Sequence, residues 1–217
     1  MSGLDIEGAI WAASGKPRSN VKVQAAVNGM LSVKEWLDQS GCFKTMERLA
    51  AMIGQCAHES MGFQRMQESL WYSAKRLTEV WPSRYPTLEV AARYAKNPER
   101  LANHTYANRI GNGNVASGDG YRFRGRGWQQ LTGRANYRAR GLALGIPLED
   151  KPELALRPGY RWVIAASFNG THKRSGKTVF QWADEGNTRM VTRIINGGYH
   201  GLADRGKRTA LALAALM

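Results

Sequence analysis

The chain has 217 residues, 43% of them hydrophobic and 22% charged, which is enough apolar material for one well-packed domain and excludes a disordered composition. A formal net charge of +14 points to an acidic partner: nucleic acid, anionic membrane or bacterial envelope polymer. The basic residues are scattered rather than gathered into a nucleic-acid-binding arm, and no run approaches the ~18 apolar residues a membrane-spanning helix needs.

Apolar spacing predicts a succession of helices. Ile6 to Ala13 reads as a short helix, followed by a loop from Ser14 to Asn20. Residues 21–39 read as one helix with Val23, Val27, Leu31, Trp36 and Leu37 along a face, ended by Gly41. Residues 44–61 give the clearest signal, because Met46, Leu49, Ala50, Ile53 and Ala57 recur at helical spacing. At ~100° per residue, Glu59 falls off that stripe, on the side of Met52 and Cys56. The expectation is a carboxyl that leaves the packed face at the helix end, partly withdrawn from water, as suits a general acid.

Gly62 favours ending that helix. The turn matters because Glu59 and Glu68, nine residues apart, would point to opposite sides of one continuous helix. With a turn between them, Glu68 is expected in a loop or short strand on the far wall of a cleft. Residues 73–81 form a helix capped by Ser73 and stopped by Pro82, and Thr87 caps another that runs to Ala95. Residues 103–127, rich in Gly, Asn and aromatics, read as ordered loop with a small β-ribbon around Tyr121 to Phe123. Thr132 to Leu144 returns to helix, and Pro147, Pro152 and Pro158 punctuate a connection. Tyr160 to Phe168 is apolar all round, which predicts a buried core helix. Short helices at 178–184 and 187–195 and a last one from Asp204 to Leu216 complete the chain.

The fold expected is therefore mainly α, α+β in the lysozyme manner, with a small β-element. Residues 1–217 read as a single domain that begins with an N-terminal helical segment at 1–44. The start, Met1 to Gly8, has neither the basic nor the apolar segment of a secretory signal, so a cytoplasmic beginning is expected. Cys42 and Cys56 are expected as buried free thiols, as in a cytosolic chain.

Several motifs fail on inspection. His58-Glu59 begins like the zinc-protease pattern H-E-x-x-H, but position 62 is glycine and the second ligand is absent. No Cys/His cluster has zinc spacing, so neither metal nor cofactor is expected. His58 is then a supporting or substrate-side residue. Gly111 to Ala116 formally fits a dinucleotide-binding glycine pattern without the strand–helix setting that pattern requires. The glycines of Gly125-Arg-Gly127 instead let a wall approach a substrate closely. Tyr72, Tyr121 and Trp128 lie beside the polar motifs and are the candidates for sugar platforms.

Taken in order, Ala57 to Phe63, Glu68 to Ser73, Tyr106 to Gly113, Gly118 to Gly127, Gln130 to Gly133 and Ile194 to Gly198 resemble glycoside hydrolase family 19. The likeness covers about residues 45–210 and is nearer the bacteriophage endolysin branch than the plant chitinases. It implies two helical lobes around a substrate cleft, a single catalytic domain with its core at 45–210 and no separate wall-binding module, and hydrolysis with inversion, with Glu59 as general acid, Glu68 as general base and Thr132 holding the attacking water. Gln130, Asn136 and Asn196 match substrate-contacting positions, and Arg205 matches a basic residue that supports the carboxylates. Inversion needs the two carboxyls about 6.5–9.5 Å apart, with room for that water.

The function expected from the sequence is an endolysin that cleaves the β-1,4 bonds of peptidoglycan glycan strands. It would act as a monomer, held in the host cytoplasm until a holin opens the way to the wall. The positive charge would draw it to anionic peptidoglycan and lipopolysaccharide, an attraction that weakens with salt. A chitinase on N-acetylglucosamine polymers is the alternative, and a non-catalytic basic wall- or nucleic-acid-binding protein is the alternative of another class. No specific nucleic acid is expected as partner.

Overall fold

The computed structural model describes residues 3–217. The described residues form two compact units, each assembled from separated stretches: residues 3–66, 127–129 and 155–217 make the first, and residues 67–126 and 130–154 the second. No helix among the described residues is long and apolar enough to cross a membrane.

The first unit holds α1 (Ile6–Ser14), α2 (Val21–Leu31), α3 (Lys34–Gln39), α4 (Met46–Glu59), α10 (Pro158–Thr171), α11 (Val179–Asp184), α12 (Thr188–Asn196) and α13 (Leu202–Leu216). Polar caps set their starts: Asp5 accepts from Gly8 N, Asn20 from Lys22 and Val23 N, and Thr45 from Arg48 N. α4 packs against α13, α1, α11 and α10, so Leu49 to Ala57 are all buried. The single stripe predicted from sequence is therefore too narrow. Met52 and Cys56, which lie off that stripe on the side of Glu59, are fully enclosed as well. Glu59 reaches solvent because it is the last residue of the helix, not because one face is bare.

A close approach of α4 and α13 fixes this core. A Cβ on Gly54 would lie 2.6 Å from the Thr209 backbone nitrogen and 2.8 Å from its Cα, so only glycine lets the helices meet there. Gly54 faces Thr209 while His58 faces Asp204, so the two helices run antiparallel. Residues 3–44 belong to this core, since α1 packs on α13 and α2 on α10. The helix predicted over 21–39 is broken at Ser32–Val33, where the Ser32 hydroxyl donates to Gly29 O and Val33 turns away at φ −124° to restart as α3. Cys42 and Cys56 are free and buried, and burial pushes both thiols well above their ordinary range.

The second unit holds α5 (Ala74–Val80), α6 (Leu88–Ala92), α7 (Pro98–Tyr106) and α8 (Asp119–Arg122), with a core of Leu70, Leu77, Tyr85, Ala91, Leu101 and Ala102, and α9 (Arg134–Leu144), whose buried Tyr137 packs on Phe123. α7 occupies ground read as loop from residue 103 onward. Its start was legible in Asn97-Pro98, an N-cap followed by proline at the first helical position. The β-ribbon expected at Tyr121 to Phe123 is one helical turn, α8. Gly120 lies against α7, where a Cβ would come within 2.4 Å of Ala102 O, and Asn103 accepts from Tyr121 N. The β-structure lies elsewhere. Gln67, Arg126 and Leu131 form isolated antiparallel bridges in the second unit. In the first unit β1 (Lys173–Arg174) pairs with β2 (Lys177–Thr178) through a Ser175-Gly176 turn with both φ values positive.

Candidate active site

In the first unit the chemistry gathers at the C-terminal end of α4. Arg205, on α13, is 1% exposed and divides its donors among three acceptors: Nε to His200 O at 3.0 Å, Nη1 to Gln55 Oε1 at 2.6 Å, and Nη2 to Glu59 Oε1 at 2.5 Å. Gln55 in turn donates to the buried Thr192 hydroxyl of α12 at 3.5 Å. Glu59 keeps about a quarter of its side chain exposed. One of its oxygens is thus pinned to the core, and the other has no hydrogen-bond partner among the described residues. His58, a residue earlier, places Nδ1 2.6 Å from Asp204 Oδ2. Its ring lies against Gly201, where a Cβ would sit 2.3 Å from the imidazole. Burial works to raise the Asp204 pKa, but the bonds from Arg208 and His58 prevail and hold it below the usual carboxylate range. His58 therefore supports the α4–α13 contact. The chain turns sharply after Glu59, as expected, through positive φ at Met61, Gly62 and Phe63.

In the second unit Glu68 is held by backbone and phenol. Glu68 N donates to Gly125 O at 3.0 Å, and Gly125 N donates back to Glu68 Oε1 at 2.5 Å. The Tyr106 hydroxyl donates to Oε2 at 2.8 Å. Burial first, then the neighbouring Glu68 charge, pushes the Tyr106 phenol well up, so it stays a donor. Gly125 is the centre of this group. A Cβ there would lie 2.8 Å from Gln130 Oε1, 3.1 Å from Thr132 Oγ1 and 3.4 Å from Glu68 Oε1. Three predicted site residues thus converge on one glycine. Thr132 precedes α9 rather than beginning it, and its hydroxyl donates to Gln130 O at 2.8 Å, leaving its lone pairs open. Gln130 takes positive φ to make this turn. Asn136 donates to Thr132 O at 2.8 Å and is itself exposed.

The platform candidates separate. Tyr72 is half-buried and packs on Trp81, with ring centres 5.3 Å apart. Tyr121 is half-buried, with the Arg124 guanidinium 4.0 Å from its ring centre. Trp128 is 1% exposed, wedged against Phe63 and Trp162 with Arg161 over its ring. It is a core residue of the first unit with no face for a sugar. Asn196, the last residue of α12, is exposed. Tyr106 and Gln55 were not singled out in the sequence. Tyr106 opens a motif already quoted, but only its contact with Glu68 gives it a role. Among the described residues no group of His, Cys, Asp and Glu gathers to hold a metal ion.

This helical arrangement with a two-residue hairpin is the fold of family 19 chitinases. Chitinase C from Streptomyces griseus HUT6037 superposes with a TM-score of 0.60, at 17% identity over 100% of this chain and 94% of that one. A chitinase C mutant gives 0.61, at 16% identity over 97% and 75%. A bacterial family 19 chitinase described as differing from plant enzymes gives 0.55, at 19% identity over 95% and 93%. No protein-family model matches the chain. A glycosyl hydrolase family 19 domain-containing protein of Haemophilus influenzae is 35% identical over 188 residues, 84% of this chain and 86% of that protein. The chain belongs to glycosyl hydrolase family 19. It is a glycoside hydrolase, which removes the non-catalytic alternative.

Proposed function

We propose that this hydrolase is an endolysin-type enzyme that cleaves β-1,4 bonds of peptidoglycan glycan strands with inversion. In this reading Glu59 is the general acid and Glu68 the general base. The observation that carries it is the unequal partnering of the two carboxyls. Glu59 has one oxygen held by Arg205 and one free, which suits delivery of a proton to the leaving glycosidic oxygen. The guanidinium then stabilises the carboxylate left behind. Glu68 accepts a hydrogen bond on each oxygen, an acceptor-only setting that suits a carboxylate taking a proton from water. The open lone pairs of the Thr132 hydroxyl, beside the Gln130 amide, suit orientation of that water. The net charge of +14 supports an anionic polymer as substrate. The enzyme works as a monomer that meets the wall once a holin opens the inner membrane.

The test is lysis of outer-membrane-permeabilised Gram-negative cells and release of new reducing ends. Wild type is compared with folded Glu59→Gln and Glu68→Gln, each expected to lose about 10²–10⁴-fold in rate. Full activity in Glu68→Gln would move the base elsewhere. The likeness to solved chitinases favours a second reading, hydrolysis of N-acetylglucosamine polymers. Colloidal chitin assayed beside purified murein separates the two.

A further inference from the structure

We infer that Arg189, Arg193 and Tyr199 form an anion subsite that receives a carboxylate of the glycan substrate. The inference rests on the peptidoglycan reading and gives it a recognition element: every second sugar of murein carries a lactyl group, a free carboxylate where the stem peptide has been removed and an amide to that peptide elsewhere, whereas chitin carries none.

Arg189 and Arg193 lie one turn apart on α12, so their like charges share a face, an arrangement that disfavours the helix by itself. The Tyr199 ring stands beside both. The Arg189 guanidinium carbon is 4.0 Å from the ring centre and that of Arg193 is 5.3 Å away, while Arg193 Nη1 donates to the phenol oxygen at 2.6 Å. Neither arginine forms an ion pair with a carboxylate among the described residues. Each guanidinium has five N–H donors, so most remain free to bind an anion. The Tyr199 pKa is lowered first by the bond from Arg193, against the effect of burial, and then by the charges of Arg189 and Arg193, a sign of strong local positive potential. Arg189 also edges a shallow hollow of about 640 Å³, together with Lys207. The one carboxylate on that hollow, Glu185, is already engaged by Lys177.

The position fits the chemistry. Tyr199 lies in the turn that follows Asn196, next to His200, whose carbonyl accepts from Arg205, the residue that holds Glu59. A substrate carboxylate gripped by the two arginines is thereby registered against the proton donor through one short turn.

The experiment compares binding and turnover for wild type and the Arg189→Gln/Arg193→Gln double variant. The probes are peptide-free murein strands, the same strands with lactyl carboxylates converted to methyl amides, peptide-bearing strands, and chitin oligosaccharides of equal length. Calorimetry on proteins also carrying Glu59→Gln reads binding without cleavage, so a failure of murein hydrolysis in the wild type is a separate result. The expected outcome is a Kd and KM raised about tenfold or more for peptide-free acidic strands, with kcat and the neutral probes unchanged. An effect confined to peptide-bearing strands would place the bound carboxylate on the stem peptide. Equal weakening on acidic and neutral probes would mean that the arginines only brace the turn, and no change on any acidic probe would leave the subsite without function. Either of those two results overturns the inference.

Discussion

Glu59 and Glu68 are held by different means. In the first unit the carboxyl stands at the end of a buried helix and is reached by an arginine that the core encloses, with Gln55 and Thr192 behind it. In the second it stands in extended chain and is held by a backbone amide and a tyrosine, beside a glycine that leaves room for Thr132 and Gln130. The first site is a by-product of how helices pack, so disturbing it should disturb the fold. The second depends on the path of a loop, so it should be breakable with the fold intact.

Arg205→Met tests the first half and carries the largest expected effect on stability. It leaves the buried Gln55 Oε1 and the partly buried His200 O without their donor and Glu59 without its cation. Because Glu59 is partly exposed, the loss is set at the lower end for a broken buried pair, about 3 kcal/mol. For a chain of this size that is a Tm lowered by about 6–12 °C, together with loss of hydrolysis. Arg205→Lys should recover part of the stability but not the activity, since one ammonium cannot span three separated acceptors. A folded, fully active Arg205→Met protein would show that the core does not position Glu59.

Two glycines sharpen the contrast at smaller amplitude. Gly54→Ala drives a methyl into the Thr209 backbone, which cannot yield without separating α4 from α13, at a cost of about 1–3 kcal/mol. Gly125→Ala meets only the ends of three side chains, which can swing away, so stability should fall by less than about 1 kcal/mol. Those ends belong to Gln130, Thr132 and Glu68, so the rate should fall at least about tenfold. Thermal denaturation and reducing-end release on both variants check the pairing. Equal stability losses would erase the distinction between the units.

The same contrast explains what the sequence made legible. The sequence located α1, α4, α9, α10, α12 and α13 to within a few residues, α4 through the spacing of its apolar residues and α10 through a run that is apolar all round. Such patterns failed where other forces govern. α4 is enclosed on all sides, so one apolar stripe understates its burial. No helix was expected over α7, whose last residues adjoin a stretch rich in asparagine and glycine, although Asn97-Pro98 marks its start. α8 has four residues, too few for any period, and its helical turn is imposed by Gly120 against α7. At the site, Arg205 and Thr132 were found through the motifs in which they lie, and the structure gives them partners. Tyr106 had no signal of its own, because a tyrosine that bonds a carboxylate 38 residues away leaves no local pattern. Trp128 was misplaced for the converse reason. Its neighbours in sequence are polar, and its neighbours in space are Phe63 and Trp162.

The smallest effect contrasts surface carboxylates of the two units. In the second, Glu149 receives Arg138 through both oxygens, at 2.6 and 2.7 Å, and Arg134 at 2.8 Å, which together tie the connection after α9 back onto that helix. These bonds, Arg138 first, lower its pKa from 4.5 to about 2. In the first unit Asp184 is lowered chiefly by Arg48, with burial opposing and the Thr45 hydroxyl assisting. A depressed carboxylate stabilises the fold above its unfolded pKa, and that contribution is lost as pH falls toward the folded value. The Tm gap between wild type and Glu149→Gln should therefore be full above about pH 4.5 and narrow steadily toward pH 2. Salt should shrink it as well, since the arginines are exposed. Asp184→Asn should give a smaller gap of the same sign, because one guanidinium holds that carboxylate where two hold Glu149. A Glu149→Gln gap that stays constant from pH 6 to pH 3 and in high salt would mean that the network acts through shape rather than charge, and the electrostatic ranking of the two units would fall.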